Sequence, residues 1–184
     1  YFHVPSIVPE KAFTIEGGFR GTFWEKFYLD ASAYSSWYRD FIGYLIGVDA
    51  TFGIGSTLQS LQVYRLAANA SEVVRTMGAN AGLNYYRPRC TYTVNYSFNR
   101  LASDNEDPII PAFNTPENKF NAGVTGHDLR IPFTDRPHLG FGVNWKLVQG
   151  YVFEGSPQFT GELPTYDMVD AQVNVLFPKA HTTV

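Results

Sequence analysis

Thr91-Tyr92-Thr93-Val94-Asn95-Tyr96-Ser97-Phe98-Asn99 alternates without interruption between polar and apolar residues. A β-strand turns successive side chains to opposite faces, so Tyr92, Val94, Tyr96 and Phe98 form one surface and Thr91, Thr93, Asn95, Ser97 and Asn99 the other. One such segment fits any half-buried sheet. The pattern recurs along nearly the whole chain, with aromatics near the strand ends. That combination predicts a transmembrane β-barrel, with an apolar face toward lipid and a polar face toward a wet lumen.

Upstream, Phe13, Ile15 and Phe19 alternate with Thr14, Glu16 and Arg20 in a first strand that ends in a turn near Gly21-Thr22. A second strand runs from about Phe27 to Phe41, with Phe27, Leu29, Ala31, Ala33 and Trp37 against Tyr28, Asp30, Ser32, Tyr34, Ser36 and Asp40. From about Ile42 to Ala70 the spacing is read as irregular. Within it, Ser56 to Ala70 is taken as loop plus upper strand, with room for a helical turn at Leu58, Leu61 and Leu66. The strand from Val74 to Tyr86 sets Met77, Ala79, Ala81, Leu83 and Tyr85 against Thr76, Gly78, Asn80, Gly82 and Asn84, small residues expected to leave lumen space.

Downstream, Phe120, Ala122 and Val124 oppose Asn121, Thr125 and His127 in a strand from Lys119 to Leu129. Leu139 to Phe153 sets Leu139, Phe141, Val143, Trp145 and Leu147 against Gly140, Gly142, Asn144 and Lys146. Met168 to Phe177 sets Val169, Ala171, Val173, Val175 and Phe177 against Asp170, Gln172 and Asn174. The fold class is therefore all-β: an antiparallel transmembrane barrel segment of about seven full strands plus the start of an eighth, from a larger barrel, occupying residues 1–184 as one partial domain.

The connections sort by length. Short ones lie near Gly21, at Arg87-Pro88-Arg89-Cys90 and at Pro178-Lys179-Ala180, with a slightly longer one from Ile131 to His138. Long ones cover Ile42 to Ala70, Ser103 to Asn118 and Glu154 to Tyr166. Short periplasmic turns alternating with long extracellular loops are an outer-membrane pattern, and a soluble sandwich has no reason to sort its loops so.

Composition narrows the function. A formal charge of −3 without any Lys/Arg run argues against nucleic acid as a partner. Aromatics reach 16% of residues while charged residues make up 17%. No run approaches the ~18 apolar residues of a spanning helix, which excludes a helical membrane protein but not a barrel. Cys90 is the single cysteine, so no intramolecular disulfide forms. Both ends of the sequence read as cuts, and the expectation is a piece of a longer polypeptide.

Candidate chemistry is thin. The acidic run Asp104-Asn105-Glu106-Asp107-Pro108 lacks the Gly and distal Glu of an EF-hand loop and reads as a solvated extracellular loop. His3, His127, His138 and His181 are scattered; His127 falls on the lumen face, where a polar lining role outweighs metal ligation because no second His stands at i+2 or i+4. Gly53-Ile54-Gly55-Ser56 lacks the Gly-Lys-Ser/Thr of a phosphate loop. Asp30 and Asp40 share a face but lie roughly 33 Å apart along an extended strand, too far for acid–base work, and Asp167 and Asp170 point to opposite faces. No catalytic, cofactor-binding or metal residue is assigned, and the chain is not expected to be an enzyme. The Asn-x-Ser triplets at Asn69 and Asn95 match a glycosylation acceptor, but Asn95 lies mid-strand. Two aromatic girdles are expected: Phe23, Trp24, Tyr85, Tyr86 and Phe177 near the short turns, and Trp37, Phe41, Tyr44, Phe98, Tyr151 and Phe153 toward the long loops.

Four stretches carry a family resemblance: Pro9-Glu10-Lys11-Ala12-Phe13-Thr14-Ile15-Glu16-Gly17-Gly18, Gly82-Leu83-Asn84-Tyr85-Tyr86, Phe113-Asn114-Thr115-Pro116-Glu117-Asn118-Lys119-Phe120-Asn121 and Tyr166-Asp167-Met168-Val169-Asp170-Ala171-Gln172-Val173. In order and spacing the chain resembles the C-terminal part of the barrel of TonB-dependent outer-membrane receptors, in the group with an N-terminal carboxypeptidase-regulatory-like domain. The resemblance implies a bacterial outer-membrane receptor that imports a scarce nutrient (a metal chelate, a vitamin, or a glycan or peptide fragment). It implies contact with outer-membrane lipid, energisation by the TonB complex through an N-terminal region absent from these residues, and a surface lipoprotein as a candidate partner. The plug domain, the TonB box and the closing strand have no counterpart here. The competing readings are a small standalone structural barrel, a soluble ligand-binding barrel, and an outer-membrane subunit of a secretion or assembly complex.

Overall fold

The computed structural model describes residues 6–102, 109, 114–130, 138–154, 160–177 and 182–183. Its strands are β1 (Lys11–Phe23), β2 (Phe27–Arg39), β3 (Ile42–Phe52), β4 (Leu58–Asn69), β5 (Val74–Tyr86), β6 (Cys90–Leu101), β7 (Asn118–Arg130), β8 (His138–Val148), β9 (Tyr151–Glu154), β10 (Thr160–Leu163), β11 (Tyr166–Phe177) and β12 (Thr182–Thr183). One sheet holds eight of them in the order β1-β2-β5-β6-β7-β8-β11-β12, and β3-β4 and β9-β10 form separate two-stranded sheets. The eight are the seven full strands and the beginning of an eighth expected from the alternation.

The structure corrects four sequence readings. The segment 42–70 is no irregular loop and holds no helical turn: β3 and β4 pair over their whole length, from Ile42 opposite Asn69 to Phe52 opposite Leu58. A signal was there, because Ile42, Tyr44, Ile46, Val48, Ala50 and Phe52 alternate strictly; Leu45 and the glycines on the other face obscured it. The segment 154–166 likewise contains strand β10, paired with β9. β8 does not run unbroken to Phe153: pairing is interrupted at Gln149 and Gly150, where a Cβ on Gly150 would lie 2.8 Å from the Thr165 backbone nitrogen, and the strand resumes as β9 opposite β10 in the register that β8 keeps with β11. Finally, Gly21-Thr22 is inside β1. The Phe19 and Phe23 rings stack at 6.2 Å on that face, and a Cβ at Gly21 would come within 3.0 Å of the Phe19 ring.

The β1–β2 turn is instead at Trp24 and Glu25, with φ of 48° and 57°, closed by the Lys26 N–H donating to the Phe23 carbonyl at 3.1 Å. Two central residues with positive φ make this the primed turn whose twist suits a hairpin. β2 stops at Arg39 because Asp40 takes a φ of 56°.

The chain divides into two compact units: Tyr1–Ile15, Ser35–Met77 and Leu101–Phe113 in the first, and Glu16–Tyr34, Gly78–Arg100 and Asn114–Val184 in the second. In the first, Ala68, Ala70 and Ile109 form a small buried cluster with Phe41 and Leu45 packed against it. Asn69 secures the corner, accepting from the Val8 N–H at 2.8 Å and donating to the Val8 carbonyl at 2.9 Å. In the second, Val148 is buried and β6, β7, β8 and β11 pair antiparallel in unbroken succession.

Candidate functional site: the two faces of the sheet

In the second unit the registers hold the alternation in phase across strands. Val94 faces Ala122, Ala122 faces Trp145 and Trp145 faces Val169; the next row, on the other face, is Asn95, Asn121, Lys146 and Met168. A single-residue slip would exchange the faces, so this agreement is the strongest structural statement of two-sidedness. The apolar face is left uncovered: Val169 is 64% and Val173 69% exposed, as Phe13 is at 61% in the first unit. A water-soluble sheet covers such a face; a membrane strand presents it to lipid.

The apolar band has ends. Phe19, Phe23, Trp24, Phe27, Tyr85 and Tyr92 form a chain of ring contacts at 4.5–6.4 Å beside the short turns, with the Arg87 guanidinium 5.5 Å from the Tyr85 ring. At the long-loop end Phe120 meets Trp145 edge-on at 5.6 Å, and the Trp145 indole donates to Asp167 at 3.2 Å. Beside them the Tyr96 hydroxyl donates to Asn118, which donates in turn to Gln149. Rings with wet polar handles belong at a headgroup level. Between Asp167 and Phe177 the outward residues of β11 are Val169, Ala171, Val173 and Val175. Ten residues tilted by ~45° rise roughly 23 Å, close to the ~25 Å apolar band of an outer-membrane barrel. In the first unit Phe13 packs against Trp37 at 5.8 Å, with the Arg75 guanidinium 5.3 Å from the indole. The side chains of Phe177 and Glu154 are outside the described residues.

The polar face is smoothed by glycine. The Tyr34 hydroxyl donates to Asn99 Oδ1 at 2.8 Å by lying across Gly78. Asn95 overlies Gly82, Asn144 overlies Gly123, and Gln172 overlies Gly142. The small residues expected to leave lumen space are therefore occupied by neighbouring side chains laid along the wall. A recess of about 520 Å³ remains on this face of the second unit, lined among others by Tyr28, Asp30, Asn95, Asn121, Lys119 and Lys146. Arg20 binds Asp30 at 2.7 Å. The lysine pair went unremarked in the sequence, because Lys119 and Lys146 become neighbours only through strand pairing.

The sequence candidates disperse. Asp40 lies 4.0 Å from Lys11, and Asp167 and Asp170 sit on opposite faces, opposite Leu147 and Asn144. His127 is exposed and its backbone N–H donates to the Arg89 carbonyl at 3.0 Å, beside a bulge where Asp128 takes a φ of 54° and pairs with His138. Among the described residues no three His, Cys, Asp or Glu side chains converge as a metal site. Gly53-Ile54-Gly55-Ser56 is the tip of the β3–β4 hairpin, closed by the Gly53 N–H donating to the Thr57 carbonyl at 2.8 Å. The acidic run at 104–108, His3 and His181 lie outside the described residues.

A family model described as TonB dependent receptor-like, beta-barrel matches residues 2–182. The chain belongs to this family. The TonB-dependent receptors are transporters and receptors rather than enzymes, and their barrels lie in the bacterial outer membrane, which is where this chain belongs. Two solved structures share the fold: the siderophore receptor PirA from Acinetobacter baumannii, at 12% identity and a TM-score of 0.57 over 92% of this chain, and the copper transporter OprC, at 16% identity and a TM-score of 0.61 over 94%. This chain spans 26% of the first and 24% of the second, about a quarter of either. No curated protein matches the sequence.

Proposed function

We propose that residues 1–184 are one sector of the barrel wall of a larger TonB-dependent importer of a scarce nutrient. The observation that carries this reading is the in-phase pairing of β6, β7, β8 and β11, with an uncovered apolar face bounded by aromatic rows. Family membership supports it, as does the eight-stranded sheet with β1 at one edge and β12 at the other. Open edges are not tolerated in hydrocarbon, and plugged outer-membrane transporters close with roughly 22 strands, of which eight form about a third.

In this division of labour the β3–β4 and β9–β10 hairpins contribute to ligand capture outside the cell. A plug carried by another part of the polypeptide blocks the lumen until the TonB complex displaces it. The sector performs no bond chemistry. The nutrient is a metal chelate, a vitamin, or a glycan or peptide fragment; the siderophore and copper named for the two similar structures favour the first. A surface lipoprotein that closes over the hairpins is a further candidate partner.

The test is growth and radiolabelled uptake on defined scarce sources, in strains lacking the parent gene or tonB. Loss of the same uptake in both strains supports the proposal. Uptake that persists without TonB overturns it in favour of a passive or structural barrel.

A further inference from the structure

The recess on the polar face of the second unit has a chemistry of its own. Asn121 stands between Asn95 on β6 and Lys146 on β8, directly opposite both. Lys119, two residues earlier on the same face, is the diagonal neighbour of Lys146. Neither ammonium has an ion-pair partner among the described residues. The carboxylates around them are engaged elsewhere or set apart: Asp30 is held by Arg20 at 2.7 Å, Glu117 pairs with Arg100 at 3.6 Å, and Asp170 stands opposite Asn144 in the next row. Two like charges on adjacent strands repel unless an anion lies between them.

A second observation is independent of charge. Asn121 Oδ1 is buried and has no hydrogen-bond partner among the described residues. A buried amide oxygen without a donor is costly and calls for an explanation. The recess thus presents two ammonium groups suited to an anion and, at Asn121, an acceptor suited to a hydroxyl or amine. Its volume of about 520 Å³ is that of a small-molecule site.

We infer that this recess binds a small polyhydroxylated carboxylate: Lys119 and Lys146 hold the carboxylate, and Asn121 Oδ1 accepts a hydrogen bond from a hydroxyl. The inference rests on the importer reading and deepens it, since it gives the lumen wall a way-station for solutes of this class. Lysine acts here as a mobile point charge and tolerates ligands of different shape, as a passage site requires.

Calorimetry on the full-length receptor in detergent tests it with three six-carbon probes. Galactarate carries carboxylates and hydroxyls, adipate only the carboxylates, and galactitol only the hydroxyls. Galactarate is expected to bind about tenfold or more tighter than either of the others, and Lys119→Gln with Lys146→Gln to weaken it by about tenfold. Asn121→Leu is expected to bring galactarate down to adipate. Both variants should keep the heat-resistant folded band of the parent on gels. Failure of galactarate to bind, equal binding of galactarate and adipate, or unchanged binding in the folded lysine variant would each overturn the inference. So would a structure of the full receptor with one of its own carboxylates seated on the lysines. Galactarate binding that persists in a receptor shown not to need TonB would overturn the importer reading and leave the recess standing.

Discussion

The Tyr34 hydroxyl reaches Asn99 Oδ1, 2.8 Å away, by crossing over Gly78, on the strand that separates β2 from β6. Neither residue could make the contact if Gly78 carried a side chain, because a Cβ there would lie 2.8 Å from Asn99 Oδ1 and inside the Tyr34 ring's contact distance. The row joins three strands on the polar face with one hydrogen bond and one missing methyl.

Gly78→Ala is therefore expected to cost about 1–3 kcal/mol by overpacking, and Tyr34→Phe about 1 kcal/mol through the lost hydrogen bond. Urea unfolding of the full receptor in detergent reads both. In the Tyr34→Ala background the penalty for Gly78→Ala should shrink, and a fully additive double mutant would show that the two residues do not act together.

The two faces of β11 should answer differently to charge. Val173→Lys places an ammonium on the lipid side and is expected to cost about 2–4 kcal/mol, whereas Asn174→Lys, one residue on, should cost less than about 1 kcal/mol. Folding yield into lipid vesicles distinguishes them. Equal penalties would mean that the apolar face does not meet lipid.

Glu25 adopts a φ of 57° that glycine reaches without Cβ crowding. Glu25→Gly should stabilise the barrel by about 0.5–1 kcal/mol, seen as a higher unfolding midpoint. Trp24 shares the conformation, but its ring packs against Phe27 at 5.9 Å, and replacing it would remove that contact too.

Ile54 is fully exposed at the tip of the β3–β4 hairpin. External protease added to intact cells should cut there and leave the eight-stranded sheet folded, because among the described residues β3 and β4 form a two-stranded sheet of their own. Cutting only after the outer membrane is permeabilised would place the tip on the periplasmic side and reverse the orientation of the chain.

Much of this was legible in the residues. A strand's two faces follow from backbone geometry alone, so Tyr92 to Phe98 or Val169 to Val175 announces its sidedness wherever it lies. The β3–β4 hairpin left a signal too, in the alternation from Ile42 to Phe52, but Leu45 on the opposite face of β3 and the mixed spacing of β4 obscured it. The turn at Trp24-Glu25 was not, because neither residue is a turn former and Gly21 offered a stronger local signal. Gly21 is there for the rings of Phe19 and Phe23, a tertiary reason.

By itself the sequence determined the parity of the seven full strands of the main sheet, the apolar band and the sorting of short from long connections. These are local properties, set by a period of two and by the chemistry of each side chain. Only the tertiary structure decided which rows adjoin: that Asn121 stands between Asn95 and Lys146, that Tyr34 lies over Gly78, and that β2 pairs with β5 across an inserted hairpin. Register depends on turn geometry and on bulges such as the one at Asp128, and one residue of shift in either would bring different side chains together.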